Sequence, residues 1–250
     1  MNINTIVNID EEQLITNIES NILYKGMGRQ TYDLLKAFNS GEEVSIFDFS
    51  IEEARALFNP IFQSSSGPLI EVAQEDHKII QHNQNSVPII ELTPKGEMPS
   101  EGWPLLLFIH GGGWILGNYP SYEGIAKSCC EYTKAKIIFV EYSLSPEAKY
   151  PHALNQVIAT LSWVKNHHKA LNINPNRIGV VGDSAGGNLA AALCLSNQKF
   201  REPLPIKIQC LLYPLIDLSV NANYPSRKIY GNGEFFLSRD HIVWSRNHYL

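Results

Sequence analysis

The sequence lacks several features that would place it in particular classes of protein. It has no surplus of basic residues, since 20 lysines and arginines stand against 25 acidic residues, a net charge of −5. Nucleic acids are polyanions, so this balance argues against a nucleic-acid partner. No apolar run approaches the length of about 20 residues that a membrane-spanning helix needs. We therefore predict no integral membrane segment.

Cysteine is scarce, and its spacing matches no metal-binding pattern. The four cysteines include the adjacent pair Cys129 and Cys130 and contain no Cys-x-x-Cys spacing. Free buried thiols in a reducing compartment are the expected state, and no metal site is predicted. The first residues, Met1 to Gln13, have neither a basic start nor an apolar stretch. The sequence therefore predicts no secretory or organellar leader, and a cytoplasmic location is expected.

Helical signals dominate residues 1–62. Apolar residues recur at helical spacing over 14–22, and a second helix is predicted over 29–38. A third helix is predicted to begin at a capping box that opens with Ser50 and to end before Pro60. Short amphipathic helices of this kind need a larger body to pack against.

The pattern changes from residue 63 onward, where short apolar runs separated by polar turns begin. Strands are predicted over 69–73, 77–81 and 87–92, as a meander at a sheet edge. Strand and helix patterns then alternate through residues 105–212. Such alternation predicts an α/β fold with a mostly parallel sheet and helices on both faces.

A Gly-x-Ser-x-Gly pentapeptide lies between an apolar strand and a helix of small residues. Its serine is Ser184, and the outer glycines are Gly182 and Gly186. A serine nucleophile sits on a turn too tight for side chains at those two positions. The helix that follows points its positive end at developing negative charge. The segment therefore predicts a nucleophilic serine at the carboxyl end of a strand.

Three consecutive glycines, Gly111 to Gly113, follow His110 directly after another apolar strand. Their backbone N–H groups can converge on one oxygen, as acyl transfer requires where a carbonyl becomes an oxyanion. A nucleotide-binding loop would need a following lysine or the spacing Gly-x-Gly-x-x-Gly, and this segment has neither. The glycines therefore predict an oxyanion loop.

Together with a third segment, these motifs resemble the hormone-sensitive-lipase group of α/β-hydrolase esterases and lipases. Residues 141–151 contain Glu-Tyr-Ser-Leu-Ser-Pro-Glu and then Tyr-Pro. This is similar to the Asp-Tyr-Arg-Leu-Ala-Pro-Glu and Phe-Pro signature of the group. Two positions depart, since Ser143 stands for arginine and Ser145 for alanine. The resemblance covers about residues 69–250, and the departures concern local packing more than chemistry.

The resemblance implies an α/β-hydrolase core over 63–250, covered by a helical cap from 1–62 together with cap-like sequence over 214–250. It implies a small-molecule ester substrate of short to medium chain length, attacked by Ser184 through an acyl-enzyme, with no metal or organic cofactor. The implied oxyanion hole consists of backbone N–H groups of three residues: Gly112, Gly113 and Ala185. Other positions are implied to shape the two loops: His110, Gly111, Gly182, Asp183 and Gly186.

The acid and the histidine that should assist Ser184 are not evident in the sequence. The group's acid stretch and its terminal His-Gly-Phe-like loop are missing after the strand predicted over 206–212. Asp217 and His241 have the right order, but His241 opens a predicted helix.

Two main interpretations stay open. In one, the chain is a C-terminally truncated esterase that lacks its last strands and is inactive alone. An open sheet edge would then offer a surface for homo-oligomer formation. In the other, the chain is a non-catalytic, hydrolase-like protein that binds a small ligand. A related acyl transfer, such as amide cleavage, is a third possibility.

Overall fold

A computed structural model describes residues 28–39, 46–82, 84–219 and 221–250. The helix predicted over 14–22 lies outside these ranges. The described chain divides into two compact units. One joins the residues up to Asp48 with Leu218–Trp244, and the other comprises Phe49–Asp217 and Ser245–Leu250. The predicted boundary between a cap and a core at residues 62 and 63 stays a prediction.

Helices and strands alternate along most of the described chain. In chain order the elements are α1 (Arg29–Asn39), a short 3-10 helix (Ile46–Asp48), α2 (Ile51–Ser65), β1 (Gln74–His82), β2 (Asn85–Thr93), β3 (Trp103–Ile109), α3 (Tyr119–Thr133), β4 (Lys136–Val140), α4 (His152–His167), β5 (Ile173–Asp183), α5 (Ser184–Asn197), β6 (Ile206–Leu212), α6 (Pro225–Tyr230) and α7 (Arg239–Tyr249).

Helix α2 begins as predicted and ends later than predicted. The Ser50 side chain accepts from Glu53 N–H while the Glu53 carboxylate accepts from Ser50 N–H, so the capping box is confirmed. The predicted end before Pro60 is wrong, because Pro60 lies inside the helix. A proline there removes one backbone hydrogen bond and costs about 3 kcal/mol. The helix nevertheless continues to Ser65 and contacts α3, where Ser121 Oγ donates to the Asn59 carbonyl at 3.2 Å.

The sheet has six strands in the order β1-β2-β4-β3-β5-β6. Strands β1 and β2 pair antiparallel with their neighbours, and the four strands from β4 to β6 are parallel to one another. The predicted α/β class is therefore confirmed. The strand predicted over 69–73 is wrong, because β2 ends at Thr93 opposite Gln74. Pro94 follows and has no N–H group to extend the ladder.

Right-handed crossovers place the helices on both faces. The connection from β3 through α3 to β4 runs in one direction along the sheet, and those through α4 and α5 run in the other. Crossovers between parallel strands are right-handed, so α3 covers one face and α4 and α5 cover the opposite one. The carboxyl ends of β3 and β5, which are direct neighbours, meet at one edge of the sheet.

Strand β6 is an edge strand of the described sheet and exposes apolar side chains. Ile208 is 60% exposed, and Leu212 and Tyr213 are exposed beside it. An edge of this kind invites pairing with another chain. No helix of the described residues is long and apolar enough to cross a bilayer.

We expect the chain to self-associate through β6 and expect Ile208→Lys to weaken this association, since a charge on an edge strand opposes pairing. Light scattering after size-exclusion chromatography measures the mass at several concentrations. Ile79→Lys is the matched control, because Ile79 is 66% exposed on β1, at the other end of the sheet. Equal masses for both variants would contradict the assignment of the interface to β6.

Candidate active site

Ser184 lies at the junction between β5 and α5. Its backbone adopts φ +49°, in the left-handed region that non-glycine residues rarely occupy. Backbone strain of this kind persists only where the surroundings enforce it, and it clusters at functional sites. Here the Ser184 carbonyl accepts a hydrogen bond from Leu215 N–H at 3.1 Å. The side chain is half-buried.

The glycines on either side of Ser184 fill a space that admits no side chain. A Cβ on Gly182 would lie 2.9 Å from the Ile109 carbonyl oxygen. A Cβ on Gly186 would collide with the carbonyl oxygens of Ile109 and His110. The serine turn therefore packs directly against the end of β3, where the glycine loop begins.

The glycine loop closes on itself immediately after β3. Gly112 and Gly113 have φ +97° and +64°, which glycine adopts without strain. Ile115 and Leu116 N–H donate to the Gly112 carbonyl at 3.1 and 2.8 Å. The N–H groups of Gly112 and Gly113 have no hydrogen-bond partner among the described residues. Ala185 N–H belongs to the first turn of α5, where amides have no acceptor within the helix.

Asp183 joins the serine turn to the glycine loop. Its Oδ1 accepts from Gly111 N–H at 2.8 Å, and its Oδ2 accepts from the Tyr122 hydroxyl at 3.0 Å. Burial raises the pKa of Asp183, and the two hydrogen bonds oppose this rise. Gly111 N–H is thus occupied by two acceptors, whereas Gly112 N–H and Gly113 N–H have none among the described residues. Tyr122 lies outside every motif, and nothing in the sequence marks it.

His110 is held below the loop with its side chain fully buried. Its Nδ1–H donates to the Gly111 carbonyl at 2.8 Å, and its ring stacks on Tyr142 at 4.2 Å between centroids. The ring also stacks on Phe139. Burial lowers the pKa of His110 to about 4, so the ring is neutral at physiological pH. These contacts fit a role in shaping the loop.

The two departures in the 141–147 signature are accommodated by local contacts. Ser143 N–H donates to Gln156 Oε1 at 2.6 Å, and Gln156 Nε2 donates back to Ser143 Oγ at 3.0 Å. Ser145 Oγ donates to the Ala148 carbonyl at 3.0 Å. Both serines therefore have polar partners within the same segment or the adjoining helix α4.

The Ser184 hydroxyl has no hydrogen-bond partner among the described residues. His241 lies in the first unit at the start of α7, where its Nδ1 accepts from Ser238 N–H at 3.0 Å. Its ring stacks on Phe47, with centroids 5.0 Å apart. These contacts describe a residue that organises a helix start. The position of His241 near the start of a helix is the one that the sequence predicts.

A mostly parallel sheet with a strained serine turn on one strand and a glycine loop on its neighbour defines an α/β hydrolase architecture. A family profile described as the alpha/beta hydrolase fold matches residues 106–250, more than half of the chain. The chain belongs to this family, and the resemblance drawn from its motifs is confirmed at that level.

Several curated proteins are similar to the chain. Carboxylic ester hydrolase LipN of Mycobacterium tuberculosis is 34% identical over 210 residues, which cover 81% of this chain and 53% of the relative. An AB hydrolase superfamily protein of Schizosaccharomyces pombe is 36% identical over 170 residues, covering 66% of this chain and 49% of the relative. The chain therefore spans about half the length of these curated relatives.

Solved structures of esterases are similar in fold. A thermostable esterase from Pseudomonas putida ECU1011 superimposes with a TM-score of 0.79 and 28% identity, covering 89% of this chain and 68% of that one. An esterase from the archaeon Pyrobaculum calidifontis gives a TM-score of 0.81 at 23% identity, with 90% and 70% coverage, and shows the fold alone.

We expect the His110 ring to stay neutral in the folded protein down to about pH 4. The unfolded chain takes up this proton near pH 6.5, so the contribution of neutral His110 to the free energy of unfolding is fully present above that pH. This contribution is lost as the pH falls from 6.5 towards 4, by about 3 kcal/mol. Nitrogen-15 NMR of the imidazole measures the protonation directly. Protonation of the His110 ring in the folded protein near pH 6.5 would contradict the burial argument.

Proposed function

We propose that Ser184 is the nucleophile of a carboxylic ester hydrolase. The observation that carries the proposal is the placement of the strained Ser184 turn against a loop whose Gly112 and Gly113 N–H groups have no partner among the described residues. The names of several relatives, which include a carboxylic ester hydrolase and acetyl esterases, support the same reaction.

In the proposed reaction, Ser184 Oγ attacks the carbonyl carbon of the ester. The carbonyl oxygen becomes an oxyanion and accepts hydrogen bonds from the N–H groups of Gly112, Gly113 and Ala185. The carbon–oxygen ester bond breaks and the alcohol leaves with the proton taken from Ser184. Water then hydrolyses the acyl-enzyme, releasing the carboxylic acid and restoring the serine. A general base must carry these protons, and we assign that role to no residue of the chain.

Short- to medium-chain esters are the proposed substrates. The match to a relative named acetyl esterase covers 58% of the chain, and the match to one named ethyl acetate hydrolase covers 84%. Both names support short acyl groups. We also propose a cytoplasmic location, which is supported by the four free cysteines.

A non-catalytic role is the second candidate. The observation in its favour is the Ser184 hydroxyl, which has no acceptor or donor among the described residues. A hydrolase-like protein without a working base would bind an apolar small molecule at the same loops and release it unchanged.

We expect any hydrolysis of 4-nitrophenyl butyrate by the chain to depend on Ser184, so that Ser184→Ala lowers kcat by ~10⁴-fold or more, because the acyl-enzyme can no longer form. Release of 4-nitrophenolate measures the rate. Ser162→Ala is the matched control, since Ser162 is also half-buried and lies on α4, away from both loops. Butyrate, octanoate and palmitate esters compare acyl lengths.

Rates at the level of the buffer blank for both the unmodified chain and Ser184→Ala would contradict the esterase proposal for this chain. Saturable protection of the fold by butyrate in that case would favour the binding role. If the unmodified chain does turn over, loss of the rate in His241→Ala would identify His241 as the base.

A further inference from the structure

We infer that Arg55 and Asn59, two residues of helix α2, position the oxyanion loop over residues 111–117. This inference rests on the proposed function, because it assigns the loop a catalytic role. Neither residue belongs to a motif, and neither touches Ser184. Both act through the backbone of the loop.

Arg55 binds the far side of the loop. Its Nε–H donates to the Ile115 carbonyl at 2.9 Å, and its Nη2–H donates to the Ser145 carbonyl at 2.9 Å. Both Nη groups also bind the Glu147 carboxylate, at 2.6 and 2.8 Å. The Arg55 side chain is only 22% exposed. The planar guanidinium with its fixed donors is suited to hold these three acceptors at once, which a lysine cannot do.

Glu147 fixes the orientation of the guanidinium. The hydrogen bond from Arg55 holds the pKa of Glu147 at about 2, so the carboxylate is ionised throughout the physiological range. Exposed ion pairs contribute little to stability by themselves. The value of this pair is geometric, because it aims the remaining Arg55 donors at two backbone carbonyls.

The two carbonyls bound by Arg55 belong to segments that are themselves connected. Ser145 N–H donates to the Trp114 carbonyl at 2.8 Å. Arg55 thus closes a ring of contacts that runs from Ile115 through Trp114 to Ser145. The turn that carries Gly112 and Gly113 is held from outside by this ring.

Asn59 lies one helical turn after Arg55, and residues four apart share one face of a helix. Its Oδ1 accepts from Gly117 N–H at 2.9 Å, at the end of the loop. A Cβ on Gly117 would contact the His110 ring, so the loop is tightly packed at this end as well.

The loop is therefore anchored at three places. Asp183 and Tyr122 hold its start at Gly111, Arg55 holds its middle at Ile115, and Asn59 holds its end. The Gly112 and Gly113 N–H groups lie between the first two anchors. Electrostatic stabilisation of an oxyanion depends on donors that are fixed before the reaction, and these anchors supply that rigidity.

Hydrogen–deuterium exchange of the peptide 109–118 tests the inference without any ester turnover. The reporters are the amides of Ile115 and Leu116, which donate to Gly112 and do not contact Arg55 through their own N–H groups. We expect Arg55→Gln to raise exchange of this peptide about tenfold, since a charge-assisted hydrogen bond to the loop is lost. Arg55→Lys should give an intermediate increase. Lys165→Gln, which removes an exposed ion pair with Glu202, should leave the peptide unchanged.

Asn59→Ala gives a second, independent perturbation at the end of the loop, should Arg55→Gln fail to fold. Faster exchange of the peptide 109–118 in either folded variant supports the inference. Unchanged exchange there in the folded variants, or an increase confined to α2, would overturn it, because Arg55 and Asn59 would then only tether the helix.

Steady-state kinetics separate positioning from substrate binding. With 4-nitrophenyl butyrate, Arg55→Gln should lower kcat about tenfold and leave KM nearly unchanged, because the oxyanion exists only in the transition state. A raised KM with unchanged kcat would count against a positioning role. If the unmodified chain shows no Ser184-dependent turnover, the proposed function fails, while the exchange measurement still decides whether Arg55 and Asn59 order the loop.

Discussion

The site depends on the close approach of two stretches of backbone at the ends of neighbouring parallel strands. Ile109 at the end of β3 lies in register with Gly182 on β5. Gly186, in the helix that follows, packs against the carbonyl oxygens of Ile109 and His110. Any side chain at these glycines would force the strand ends apart. Ser184 and the N–H groups of the loop are neighbours because their strands are neighbours and because the glycines between the two turns carry no side chains.

Buried polar groups convert this approach into a fixed geometry. Asp183, Tyr122 and Gly111 satisfy one another, and the neutral His110 ring fills the space beneath. A buried carboxylate without partners would be costly, whereas one with two donors is tolerated and rigid. The same contacts explain why the residue beside the nucleophile is an acid that takes no part in proton transfer in the proposed reaction.

The features that could be predicted from the sequence are those fixed by local signals. The Ser50 capping box, the alternation of strands and helices and the glycine patterns all depend on neighbours within a few residues. The end of α2 was mispredicted because the helix continues past Pro60 where it packs against α3. The strand over 69–73 was mispredicted because β2 ends at Thr93 and offers it no partner. Neither cause leaves a local pattern in the sequence. The roles of Tyr122 and Arg55 could not be predicted for the same reason, since their partners lie far away in the sequence. Arg55, for example, reaches Ile115 across 60 residues and Glu147 across 92.

These separations also have a consequence for the order in which the protein is assembled. Helix α2 carries its own start signal and can form as soon as its residues leave the ribosome. Its contacts with the loop become available only after the chain has been made as far as Glu147 and the central strands have paired. Closing such long loops is slow relative to local structure formation. The glycine loop should therefore be among the last parts to become protected during folding. A chain halted near Glu147 would contain β1 to β4, four of the six strands, without Ser184.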